Sequence, residues 1–218
     1  MKFVCISDTH MMHDRVPIPD GDVLIHAGDF SMRGDLVEIA GFNAFLAGLP
    51  HKHKVVIAGN HDFLFERGPS LARAALINGI YLQDSEVTID GVRIYGSPWQ
   101  PAFMDWAFNL ERGPHIKEKW DLIPSGVQIL VTHGPPFGYG DEVPQPTGAA
   151  ERVGCADLLQ AVKRLQPAYH VFGHVHEGYG ITKDEHTTFI NASMCDGAYK
   201  PVNPPIVFDY SVKAYARR

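Results

Sequence analysis

Val55-Val56-Ile57-Ala58-Gly59-Asn60-His61-Asp62 passes from an apolar run into a polar cluster with nothing between. Short, nearly continuous apolar runs rich in β-branched residues suit strands covered on both faces. The glycine, amide, imidazole and carboxylate that follow suit a turn, and they also carry chemistry. The same passage recurs four more times. Phe3-Val4-Cys5-Ile6 runs into Ser7-Asp8-Thr9-His10, and Val23-Leu24-Ile25 leads to Gly28-Asp29. Val127-Gln128-Ile129-Leu130-Val131 runs into Thr132-His133-Gly134, and His170-Val171-Phe172 into Gly173-His174-Val175-His176.

Helical patterns lie between these runs. Asp35 is placed as the N-cap of a stretch with Leu36, Ile39, Phe42, Phe45, Leu46 and Leu49 at helical spacing, ended by Pro50. From Glu151, the residues Val153, Leu158, Leu159, Val162 and Leu165 repeat that spacing up to Pro167. Alternating strands and helices predict an α/β core. Glu86–Ile89, Asp90-Gly91 and Val92–Tyr95 read as a hairpin with a tight turn, and Thr187–Ile190 and Ile206–Tyr210 as later strands. Mixed strand directions favour two stacked sheets over one open sheet. Residues 97–115 and 134–150, rich in Pro, Gly and aromatics, read as long functional loops. With no repeat and no linker-like shift in composition, residues 1–218 read as one domain.

Composition narrows the function classes. The chain has 218 residues, 45% hydrophobic and 20% charged, which is ordinary for a globular protein and excludes disorder. A net charge of −6 with no basic tract gives no reason to expect extended nucleic acid as a partner. The chain opens on MKFVCISDTH, without a signal-peptide core, and no run approaches the ~20 apolar residues of a membrane helix. Cys5, Cys155 and Cys195 form no CxxC pair, so a reduced, cytoplasmic setting with no membrane partner is expected.

In α/β sheets ligands bind beyond the carboxyl ends of the strands, and all five polar clusters fall there. They hold Asp8, His10, Asp29, Asn60, His61, His133, His174 and His176. A single divalent ion takes ~4–6 ligands, so eight groups imply two ions with one shared ligand. Mixed nitrogen and oxygen donors favour manganese, iron, zinc or cobalt over calcium or magnesium. In Asp8-x-His10 and His174-x-His176 the paired residues share one side of an extended chain, unless a turn parts them between two ions. Gly28, Gly59 and Gly173 allow sharp turns and close backbone approach.

Other residues have structural readings. His26 and His170 sit inside strand patterns as core histidines, while His13, His51, His53, His115 and His186 fall in polar loops and are expected to be exposed. Asp62 either orients its neighbours or caps the turn that follows. Trp99, Phe103, Trp106 and Phe108 are read as a hydrophobic lid, and Phe137 and Tyr139 as a lid or a base-stacking surface. Arg67, Arg112 and Lys183 are read as solvated rather than as phosphate contacts.

The five blocks from Asp8 to His176 resemble the signature of calcineurin-like metallophosphoesterases. FVCISDTH, VIAGNHD, THGPP, ERVGCADLL and VFGHVHEGYG are similar to the metallophosphoesterase-domain-containing proteins of animals and their bacterial relatives. This resemblance implies a four-layer α/β/β/α sandwich with its site at the C-terminal strand ends. It implies that Asp8, His10 and His176 bind a first metal, that Asn60, His133 and His174 bind a second, and that Asp29 bridges them. It also implies that His61 binds no metal but stabilises charge or protonates the leaving oxygen.

The expected activity is a metal-dependent phosphodiesterase acting on cyclic nucleotides or similar small phosphodiesters. Hydroxide bridging the two ions, manganese first among the candidates, would attack the phosphorus. The alternative is a non-catalytic nucleotide-binding regulator or scaffold on the same fold. A DNA nuclease would want a basic track, and none is present.

Overall fold

The computed structural model describes residues 1–212. Its first half builds four strands of a five-stranded sheet, which a strand near the C-terminus completes, antiparallel to the first. β1 (Lys2–Ile6), β2 (Val23–His26), β3 (His53–Val56) and β4 (Ile80–Tyr81) run parallel. α1 (Leu36–Gly48) links β2 to β3, and α2 (Phe63–Arg67) and α3 (Pro69–Ala75) link β3 to β4. The second half opens on the hairpin of β5 (Ser85–Ile89) and β6 (Val92–Ser97). A short pair follows, β7 (Gln100–Pro101) and β8 (Asn109–Leu110), then α4 (Pro114–Asp121) and β9 (Ile129–Thr132). β10 (Glu142–Pro144) and β11 (Ala150–Arg152) form a two-stranded ribbon ahead of α5 (Ala156–Leu165) and β12 (Tyr169–Phe172). β13 (Gly180–Lys183), β14 (Thr188–Asn191) and β15 (Ile206–Asp209) complete the order.

The sheets are ordered β15-β1-β2-β3-β4 and β13-β14-β12-β9-β6-β5. Each advances steadily in one direction through its helical crossovers, so right-handed connections place the helices of a sheet on one face only. The bare faces then have to bury each other. Alternation along the strands carries this out. Phe3, Cys5, Val23, Ile25 and Val55 meet Ile94, Ile129, Val131, Val171 and Ile190 between the sheets. Val4, Ile6, Leu24 and Val56 pack under Ile39, Phe42, Leu46, Phe65 and Ala72 of α1–α3. Tyr95, Leu130, Phe172 and Phe189 pack under Ile116, Trp120, Leu158 and Val162 of α4 and α5. The result is the expected α/β/β/α sandwich of two mixed sheets. At about 1.5–3 kcal/mol for each large apolar side chain, these three layers supply the main drive to fold.

Asp35 caps α1 as its sequence suggests, accepting from the backbone N–H of Val37 and Glu38. Asp90 (φ 46°) and Gly91 (φ 83°) turn the β5–β6 hairpin. Other expectations need correction. The helix does not start at Glu151: residues 150–152 pair with 142–144, and α5 begins at Ala156 behind Cys155 as N-cap. β3 ends at Val56, two residues before the apolar run does. The aromatic stretches are not plain loops, since they contain β7, β8, β10 and the start of α4. His13 and His51 are buried rather than exposed, and the His13 ring lies against Phe42 and Phe45.

Candidate metal centre

The turns after β1, β2, β3, β9 and β12 meet at one edge of the sandwich. Asp8 (φ 51°), His10 (φ 41°), Asp29 (φ 56°) and His174 (φ 68°) adopt left-handed backbone. Such strain in non-glycine residues gathers where function over-determines the chain. The strand-end glycines admit the close approach. A Cβ at Gly173 would lie 2.0 Å from Asp8 Oδ2, and one at Gly59 would lie 2.3 Å from Asp29 Oδ1.

Two groups of donors form around one carboxylate. In the first, His176 Nε2 lies 3.5 Å from Asp8 Oδ1 and 3.4 Å from His10 Nε2. In the second, Asn60 Oδ1 lies 2.8 Å from both His133 Nε2 and His174 Nδ1. Asp29 Oδ2 faces each, 3.9 Å from His10 Nε2 and 3.4 Å from His133 Nε2. His174 and His176 therefore part to different groups, whereas Asp8 and His10 stay together. His61 lies beside the first group and the shared carboxylate: one of its ring nitrogens is within 4.8 Å of the ligand atoms of His10 and Asp29.

Backbone carbonyls fix the rings. His10 Nδ1 donates to Ser31 O (3.3 Å), His133 Nδ1 to Ala27 O (2.9 Å) and His176 Nδ1 to Asp196 O (2.8 Å), which leaves each Nε2 for the centre. His61 Nδ1 donates to Met32 O at 3.0 Å. Asp62 makes no capping bond to α2. Its carboxylate instead accepts from the backbone N–H of Gly59, Asp29 and Ser31 and from the Ser31 hydroxyl, binding the β2 and β3 turns together. Glu38 of α1 holds the same loop further on, accepting from Met32, Arg33 and Gly34 N–H.

The donor chemistry fits divalent cations. With Nδ1 donating to Ala27 O, His133 turns Nε2 toward the acceptors Asn60 Oδ1 and Asp29 Oδ2, and a cation among these atoms would satisfy their lone pairs in place of a proton on Nε2. Burial opposes charging His133, but Asp29 and Asp8 outweigh it and hold its pKa up at about 9. His176 is likewise held up at about 9 against burial, by its hydrogen bond to Asp8 and that residue's charge. Asp8 and Asp29 are fully buried, which opposes their ionisation, yet the surrounding histidines hold both well below the usual carboxylate range. Burial depresses His174 to about 3, with the charge on His133 adding to it, so its ring stays neutral and able to ligate.

Several neighbours lack a sequence signal. Ser193 donates its hydroxyl to Asp8 Oδ2 at 2.8 Å, and Tyr199 lies edge-on to His10 with ring centroids 4.7 Å apart. Both sit in an irregular stretch near the C-terminus, without periodicity or a metal-ligand pattern. The buried His26 and His170 do have a role in the fold, since their Nε2 atoms bond Thr9 Oγ1 (3.0 Å) and Thr132 Oγ1 (2.8 Å) beside the ligand turns. The aromatic set divides. Trp99 and Phe108 pack against each other away from the site, and Tyr139 stacks on Phe189. Trp106 borders the centre, and Phe103 lines the cleft beside it.

A two-sheet sandwich with carboxylates, histidines and an amide at its strand ends defines an α/β protein with a candidate dinuclear metal centre. Residues 1–178 match the model of the calcineurin-like phosphoesterase family, and the chain belongs to that family. Human metallophosphoesterase domain-containing protein 1 is 51% identical over 232 residues, spanning 95% of this chain and 70% of that protein. A UPF0046 protein of Caenorhabditis elegans is 44% identical over 227 residues, spanning 96% of this chain and 80% of its own. The crystal structure of TT1561 of Thermus thermophilus shares the fold, with a TM-score of 0.56 at 13% identity over 87% of this chain and 88% of that one. No helix among the described residues is long and apolar enough to cross a membrane, and Cys5, Cys155 and Cys195 are buried free thiols.

Proposed function

We propose that this chain, read as one domain, is a dinuclear metal-dependent phosphodiesterase acting on small phosphodiesters, cyclic nucleotides among them. The observation that carries the reading is the Asp29 carboxylate facing two separate donor groups, His10 at 3.9 Å and His133 at 3.4 Å. In this reading Asp8, His10 and His176 hold the first ion, and Asn60, His133 and His174 the second. Asp29 is shared. Two divalent ions, manganese foremost and iron, zinc or cobalt also suited to the donors, would polarise the phosphoryl oxygens and lower the pKa of water toward ~7.

The remaining work falls to the chain's own groups. Asn60 and His174 border the cavity where the phosphoryl group would rest and orient it for in-line attack. With Nδ1 tied to Met32 O, His61 turns Nε2 to the cavity, and in its protonated, doubly N–H form it would pass the Nε2 proton to the leaving oxygen and end as the neutral Nδ1–H ring. Tyr199 and Trp106 flank that ring, with centroids 6.1 and 5.3 Å from its own. The buried free thiols suit a reducing compartment such as the cytoplasm.

Protein carrying two manganese ions should hydrolyse bis-p-nitrophenyl phosphate or a 2′,3′-cyclic nucleotide. Protein shown to hold both ions yet turning over neither substrate overturns the reading, and nucleotide retained without turnover would indicate a binding regulator instead.

A further inference from the structure

The polar cavity at the centre, about 170 Å³, opens past Trp106, His174 and Glu177 into a larger cleft of about 550 Å³. One wall of this cleft is the β7–β8 connection, with Phe103 and Trp106, and another is the β10–β11 ribbon with its flanking Val153. Trp106 stands at the junction. Its ring centroid lies 5.3 Å from that of His61 and 6.1 Å from that of His174, and Phe103 meets it edge-on at 5.4 Å.

The two arginines of the cleft are already engaged. Arg112 donates to Gly154 O at 2.7 Å and to Val153 O at 2.6 Å. Arg152 is paired with Asp141 and Glu142. Glu151 of the ribbon and Glu177 beside His176 also line the cleft and add negative charge to it. An additional phosphate placed here would meet two carboxylates and find the arginine donors turned to backbone and acidic partners. A flat uncharged group would instead gain aromatic contact and apolar burial.

We propose that this cleft binds the uncharged aromatic substituent of a phosphodiester whose phosphate sits at the metal centre, with Trp106 as the stacking platform. The proposal rests on the phosphoesterase reading above and adds the organic half of the substrate. It separates this chain's preferred ligand from nucleoside di- and triphosphates, whose extra charge the cleft does not accommodate.

Binding of diphenyl phosphate and of dimethyl phosphate, diesters of equal charge, to manganese-loaded protein, measured by calorimetry and tryptophan emission, tests it. Diphenyl phosphate should bind at least about tenfold tighter than dimethyl phosphate, the scale of one aromatic stacking contact, and should quench emission. In Trp106→Ala that preference should fall toward one while elemental analysis still finds two ions per chain, and Phe103→Ala should reduce it less. If Trp106→Ala releases metal, Trp106→Leu and Phe103→Ala decide by the same ratio. A ratio near one in the unaltered protein, or one unmoved by these substitutions, overturns the cleft assignment while turnover of bis-p-nitrophenyl phosphate still supports the phosphodiesterase reading. No binding of either ligand, together with no turnover, overturns both.

Discussion

The two sheets meet the candidate centre in different ways. The five-stranded sheet supplies Asp8, His10, Asp29, Asn60 and His61 from three successive turns that lock one another. Asp62 joins the β2 and β3 turns, and Asp29 Oδ1 accepts from His61 N–H at 2.8 Å. The six-stranded sheet supplies His133, His174 and His176, whose orientation is borrowed in large part from its neighbour. His133 donates across to Ala27 O, the His174 N–H donates to the Asp8 carboxylate, and Gly173 lies against Ser7 and Asp8. One half of the site is thus organised within its own sheet. The other half exists only when the sheets are packed, so the site reports on the apolar layer between them.

That contrast can be broken most severely at the shared carboxylate. Asp29→Ala should leave neither donor group complete, with loss of both ions by elemental analysis and of essentially all turnover. His61→Ala tests the division between ligand and acid. It should retain two ions while turnover falls on the order of 10²–10⁴-fold, and a lost ion would instead make His61 a ligand. Gly173→Ala attacks the junction between sheets. The added methyl must displace Asp8 or the β12 turn, at about 1–3 kcal/mol, and should lower the melting temperature together with occupancy of the first position. Asp62→Ala attacks the lock within the first sheet and should weaken metal affinity by about 10–100-fold with a smaller effect on melting. Glu38→Ala should be the mildest. It frees the loop that carries Met32 O, so turnover should fall severalfold with both ions retained, as read by steady-state kinetics on metal-loaded protein.

How far the residues alone reached varies by region. The candidate-ligand turns could be read because each places side chains of metal-ligand type directly after a buried strand, and strand burial leaves a local apolar signature. The aromatic stretches could not be resolved in this way. Trp99 and Trp106 have similar local surroundings, yet one donates its indole N–H to Asp84 inside the fold and the other borders the centre. The start of α5 was misplaced because Val153 fits the helical period while its neighbours pair with β10. Asp62 had two equal local readings, and only contacts with residues some thirty positions earlier chose between them.

Local order in the chain was enough to establish the α/β class, the pairing of apolar runs with polar turns, and which eight residues of metal-ligand type those turns carry, because periodicity and residue chemistry are written within a few positions of each other. Packing alone decided which side chains share a donor group, which carbonyl holds each imidazole, and which aromatics line the cleft. Those outcomes depend on contacts between segments tens to more than a hundred residues apart, and such contacts form only once two half-covered sheets have buried their bare faces against each other.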